Sequence, residues 1–187
     1  MVDDDELRAE DFVPNAGGEW HGLLFVNPSL AGRPELTWCF DFAFGDLAHN
    51  GETSPLGLTI EWLPVPTDSW RRIAGLHLTS AGFAAPAEAS VYHDAHHRFE
   101  TVDLTLGRQR GSSLQAAATV SGDIDRLGVD PLRAEAWLTF TGILVSLPDA
   151  TSPDEAFARL GRFTDTTGLV FDTARTTSAL RFVPQTS

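Results

Sequence analysis

Residues 36–44 read Leu36-Thr37-Trp38-Cys39-Phe40-Asp41-Phe42-Ala43-Phe44. Large apolar side chains fall on every second position, with small or polar residues between them. Successive side chains of an extended chain point to opposite faces. Leu36, Trp38, Phe40, Phe42 and Phe44 therefore form one buried face of a strand, and Thr37, Cys39, Asp41 and Ala43 the other. Aromatic stripes at this spacing are core packing in most proteins.

The same period-two signal recurs on both sides of this stretch. It predicts strands over 23–26, over 57–63 with Leu58, Ile60 and Trp62 on one face, over 73–79, over 89–93 and over 99–106. Further strands are expected over 113–121, 136–146, 169–171 and 180–183, with Gly142 as a bulge or a point of close approach. The run Gly107-Arg108-Gln109-Arg110-Gly111 between two alternating segments reads as a hairpin connection. Hairpins imply antiparallel pairing, because parallel neighbours need a crossover of a dozen or more residues. The expected fold is mainly β, an antiparallel β-sandwich or strongly bent sheet with one or two short helices.

One helix announces itself. Ser152-Pro153-Asp154-Glu155 combines an N-cap serine, proline at the first helical position and glutamate three residues after the cap. Gly161 is placed to end that helix. Shorter helical turns are candidates at 123–127 and 131–136, and the proline-rich 63–68 reads as a rigid loop.

The 187 residues fit one domain, 1–187, with residues 1–10 an acidic and flexible N-terminal segment. A hydrophobic fraction of 42%, with 12 Phe and 5 Trp, supplies a core without disulfides. Thirteen basic residues, all arginine, face 26 acidic ones, for a formal net charge of -13. That balance repels the phosphates of nucleic acid and an anionic membrane surface, and it attracts a basic protein. The absence of lysine fits the codon bias of a GC-rich bacterial genome and also rules out a phosphate-binding Gly-Lys-Ser/Thr loop. The start Met1-Val2-Asp3-Asp4-Asp5-Glu6 is the reverse of a secretory signal, and no apolar run approaches the ~20 residues that span a bilayer. A cytoplasmic protein is expected. Cys39, the single cysteine, lies between Trp38 and Phe40 and is expected as an inert, buried thiol.

Two constellations carry chemistry. The first is His93-Asp94-Ala95-His96-His97, where a loop would let His93, His96 and His97 converge on a divalent metal. It lacks the spacing of the metalloprotease and cupin ligand sets, and a solvated His-rich turn is the plainer alternative. The second is Trp70-Arg71-Arg72, an interaction patch if the indole is exposed and a loop anchor if it is not. His21, His49 and His77 are scattered. Asp165-Thr166-Thr167-Gly168 and Phe171-Asp172-Thr173 lack the Asp-Thr-Gly of aspartic proteases, and no Gly-x-Ser-x-Gly elbow occurs.

With no catalytic residue and no cofactor assigned, the first functional expectation is a non-enzymatic protein-binding module, such as an immunity-type inhibitor of a basic partner. A homodimeric scaffold and a metal-dependent enzyme built on His93, His96 and His97 are the alternatives.

Overall fold

A computed structural model describes residues 7–26, 32–49, 52–81, 87–93, 95–174 and 179–185. Residues 1–6 of the expected flexible segment lie outside the described residues. From Leu7 onward the chain is packed, with Leu7 and Phe12 buried and the ring of Phe12 set edge-on to Phe44 at 5.3 Å.

Strands β1 (Pro14–Val26) and β2 (Pro34–Phe44) form the first hairpin, followed by a small separate one, β3 (Leu47–His49) with β4 (Glu52–Ser54). β5 (Gly57–Leu63) leads through a 3-10 turn, Trp70–Arg72, into β6 (His77–Ala81). Then come β7 (Glu88–His93), β8 (Ala95–Arg110), β9 (Ser113–Asp123) and β10 (Leu132–Ser146). Helix α1 (Pro153–Leu160) precedes the terminal hairpin β11 (Leu169–Phe171) and β12 (Leu180–Pro184).

The fold is mainly β and its described pairings are antiparallel, with one exception. The main sheet runs β1-β2-β5-β7-β8-β9-β10 and returns to β1. That last pairing is parallel, from Glu19 opposite Thr139 to Phe25 opposite Ser146. The bend of the sheet thus goes to closure, giving a seven-stranded barrel. Closure removes the unpaired edges that an open sheet must otherwise protect. β6 lies along the middle of β8, from Thr101 to Thr105, and the β11–β12 hairpin continues from the far end of β10.

The barrel is filled by its own side chains. β1 and β2 send in Trp20, Trp38, Phe40 and Phe42, each at most 2% exposed. β9 and β10 answer with small residues in register, Ala134 opposite Ala118 and Ala136 opposite Ala116. The rings of β1 and β2 and the alanines of β9 and β10 belong to one buried core inside the barrel. Trp20 is the centre of the packing, its ring 4.5 Å from Phe140, 5.5 Å from Trp38 and 6.3 Å from Phe40.

Several local expectations change. Residues 131–136 are not helical: Leu132, Ala134 and Ala136 alternate into the core as the start of β10. Residues 123–127 form no helix either, because the Asp123 carboxylate accepts from the backbone N–H groups of Leu127 and Gly128, and so folds the loop back on itself. The predicted 73–79 strand begins only at His77. Trp62 does not share a face with Ile60. A bulge leaves Cys39 facing both Glu61 and Trp62, between the Trp38–Leu63 and Phe40–Ile60 pairs, and Trp62 adopts a left-handed φ of 56°. Leu63 takes the inward place, 2% exposed. Helix α1 starts as read, with the Ser152 hydroxyl accepting from Glu155 N–H in a capping box.

Candidate functional site: an acidic trough on the barrel wall

Because Trp20, Phe40, Phe42, Leu58, Ile60 and Val91 face inward, their sequence neighbours face out. Registration then lines up residues that are far apart in the chain. Glu19 stands opposite Asp41, Asp41 opposite Thr59, Thr59 opposite Ser90 and Ser90 opposite Arg98. One row along, Glu61 stands opposite Glu88. This polar belt is dished into two adjoining hollows that share Pro55, Gly57 and Thr59. One is about 300 Å³, with Glu61, Ser90, Tyr92 and His96 on its lining. The other is about 260 Å³, with Glu19 and Asp41 on its lining. Gly18, opposite the inward-facing Phe42, lets β1 and β2 approach closely here, since a Cβ would strike the Asp41 carbonyl and the Leu138 side chain.

Among the described residues no arginine neutralises the trough's half-buried carboxylates. Burial pushes the Asp41 carboxyl above its ordinary value of 3.8, against a downward pull from the Thr59 hydroxyl it accepts from and from His21. Glu61 is raised by burial first, then by the charges of Asp41 and Glu88, against a downward pull from His96. Burial also holds His21 below 6.5, with Arg181 adding to that push. His21 Nδ1 sits 3.8 Å from Asp41 Oδ2, beyond hydrogen-bond reach. With His21 neutral at pH 7, this contact does not cancel the charge. Among the described residues no arginine pairs with Asp41 or Glu61, whereas Arg98 is committed to Asp125 at 2.8 and 3.0 Å.

A measurable pH dependence follows. A carboxyl whose folded pKa is raised keeps a proton in the native state that the unfolded chain releases. Its destabilising effect is absent below the unfolded value and grows as pH rises through the raised folded one. Asp41→Asn is therefore expected to raise the thermal midpoint at neutral pH, since the Asn carbonyl still accepts from Thr59. That gain should vanish as pH drops through 3.8. Thermal melts from about pH 3 to about pH 8 check this; a gain that is the same at both ends contradicts the assignment.

Cys39 is the cross-strand partner of His21, and Asp41 follows two residues on, so the residue types of a thiol nucleophile, base and orienting acid lie side by side. The thiol is unsuited to that role. It is 2% exposed, and burial pushes its pKa up to about 12. At pH 7 that leaves roughly one thiolate in 100,000. Native protein treated with iodoacetamide is expected to stay unlabelled by mass spectrometry until denaturant is added; prompt native labelling would disprove the inert-thiol reading.

The sequence-predicted sites are placed as follows. His93, His96 and His97 do not converge. Tyr92 pairs with His96 and Val91 with His97 in the β7–β8 hairpin, so alternation sends His96 to the outer face and His93 and His97 to the inner. His97 Nε2 is engaged with the His93 carbonyl at 3.1 Å. Asp94 lies outside the described residues. Among the described residues no group of three or more His, Cys, Asp or Glu side chains is arranged to hold a metal ion.

Trp70 is 3% exposed and lies stacked on Phe140 at 4.4 Å and 16°, packed into the core of the barrel. Arg71 covers its ring at 4.4 Å and donates to the Thr167 carbonyl. Arg72 pairs with Asp68 at 2.8 Å. The tripeptide anchors the loop after β5, with only its arginines at the surface. His77 pairs with Asp103 at 3.0 Å on an exposed face, and the side chain of His49 lies outside the described residues.

The site that concentrates perturbed acids in a concave surface is one that no local motif marks. Asp41, Glu61, Ser90 and Tyr92 each look like ordinary outward residues of separate strands, and only registration gathers them. The molecule is thus a closed, side-chain-filled β-barrel with an acidic trough on its wall. Comparison with protein-family models, with curated proteins and with solved structures returns no match. Among the described residues no helix is long and apolar enough to cross a membrane.

Proposed function

We propose that the protein is a non-enzymatic binding module that engages a basic protein through the trough formed by β1, β2, β5 and β7. The observation that carries this reading is the pair of half-buried carboxylates, Asp41 and Glu61, with which no arginine pairs among the described residues. Inside the chain they only destabilise the fold; a partner's cations would turn them into compensated charges. The aromatic packing inside the barrel supports the same reading, because the perturbed carboxylates lie on the outer face of the wall. The net charge of -13 would steer a basic partner toward that wall. An inhibitor that covers the phosphate track of a basic toxin enzyme is the concrete form of this proposal, acting in a reducing cytoplasm where a lone buried thiol is stable.

Affinity capture from the producing cells at about 0.15 M salt tests it. Wild-type protein is expected to recover a basic protein that the neutralised variant E19Q/D41N/E61Q/E88Q does not. Equal recovery by both, or recovery of no basic protein by either, overturns the proposal.

A further inference from the structure

The larger hollow has a finer chemistry than general acidity. Its outer side carries Tyr92, which is 61% exposed for so large a ring, with the His96 ring set edge-on at 5.2 Å and 71°. Pro55 adds an exposed apolar wall. On the lining sit the Glu61 carboxylate and the Ser90 hydroxyl. Ser90 is 6% exposed, so a group that reaches its hydroxyl must enter the hollow itself. An exposed aromatic ring, a carboxylate with no arginine partner among the described residues and a buried serine therefore border one space of about 300 Å³.

That space lies at the lower limit of small-molecule sites and suits one long side chain. Its demands also select the chemistry. Phosphate and other anions are repelled by Glu61 and Glu88. A metal ion lacks a ligand set among the described residues. A purely apolar side chain would bury the carboxylate uncompensated, which is costly. A guanidinium meets all three features: it is planar and weakly hydrated, stacks on aromatic faces, and presents a fork of donors to carboxylate and hydroxyl oxygens. An ammonium offers charge but neither the plane nor the fork.

We propose that this hollow is an arginine-binding pocket, in which a partner's arginine lies along Tyr92 and Pro55 with its guanidinium donating to Glu61 and Ser90. The assignment rests on the binding-module reading and names the residue type that the partner inserts. The raised pKa of Glu61 agrees with a site whose natural cation is missing.

The test uses the full chain, isotopically labelled, and Nα-acetyl-L-arginine methylamide as the probe, followed by chemical-shift changes. Saturable shifts are expected at Ser90, Tyr92 and their strand neighbours. Glu61→Gln should weaken binding about tenfold or more, and Tyr92→Ala about two- to fivefold. Asp103→Asn, on the outer face of β8 in its pair with His77, should leave binding unchanged. The lysine analogue should bind several-fold more weakly than the arginine probe. Glu61→Gln removes a carboxylate that burial disfavours, so its native spectrum is expected to persist, and that spectrum separates lost binding from lost folding. Unchanged affinity in Glu61→Gln, equal binding of the lysine analogue, or shifts that map outside the hollow each overturn the assignment. Failure of the probe with successful partner capture removes the arginine pocket alone. Saturable, Glu61-dependent binding without partner capture removes the module reading and keeps the pocket.

Discussion

Trp20→Ala is expected to lower the unfolding free energy by about 3–5 kcal/mol, the range for deleting a large buried ring. For a domain whose total stability is about 5–15 kcal/mol, that brings the barrel close to unfolding. Trp20 is fully buried and touches rings from both sides of the closure, Trp38 and Phe40 on β2 and Phe140 on β10. The surrounding strands are hydrogen-bonded into a ring and cannot collapse into the space left behind. Chemical denaturation checks the value. Two companions sharpen it. Trp20→Phe keeps a ring and removes an indole N–H that is buried without a partner among the described residues, so its loss should be clearly smaller. Trp137→Ala, on the outer face and 37% exposed, should cost under about 1 kcal/mol. Equal losses for Trp20 and Trp137 would mean that the barrel interior is not the stabilising core.

Gly142→Ala is the second large effect. Gly142 has a φ of 119°, outside the range side chains adopt readily, and a Cβ built there would meet the carbonyl oxygen of Phe182. β10 pairs with β9 up to Thr139 and with β12 from Ile143 on, and the β1 register slips across this point, between Trp20 and Gly22. Backbone strain and the displacement of β12 together are expected to cost about 3 kcal/mol or more, a fall in thermal midpoint of about 6–12 °C for a chain this size. Gly111→Ala isolates the conformational part. Its φ is 58° with open space around the added carbon, so about 1–2 kcal/mol is expected. A Gly142 loss no greater than that of Gly111 would refute the close-approach argument.

The two effects bear on different parts of the functional proposal. Trp20 supports the inner side of the wall whose outer side carries Glu19 and Asp41, so its loss should loosen the trough along with the core. Gly142 sits across the β1–β10 seam, where closure decides whether β1 stands beside β2 at the right height. A trough made by registration depends on both, although neither residue lines it.

Much of the strand pattern was legible in the chain. Alternation at 36–44, 57–61, 99–106 and 113–121 reports which side of each strand is buried, because that depends on side-chain geometry two residues apart. The Ser152–Glu155 cap was legible for the same reason, as both hydrogen bonds close within three residues. Trp62 was misassigned because a bulge is a mismatch between two strands and leaves no mark on one of them. The His93–His97 cluster was misleading in a related way. Five residues written together look like one site, but the β7–β8 pairing sorts the three histidines by parity onto two faces. Trp70 next to two arginines reads equally as a patch or a plug, and only the position of Phe140 chooses.

What the amino-acid order determined unaided was local: the faces of the strands, the helix start, the acidic surface and the lack of an internal disulfide. What tertiary structure decided was every relation between distant segments. β1 meets β10 in parallel across nearly the whole chain, Asp41 comes to stand beside Thr59 and in reach of Glu61, and Ser90 and Tyr92 complete the pocket. Side-chain parity is a property of neighbouring bonds and repeats in any extended chain. Strand order and register come from the fit of whole faces around a closed ring, where Trp20 on β1 must find Phe140 on β10.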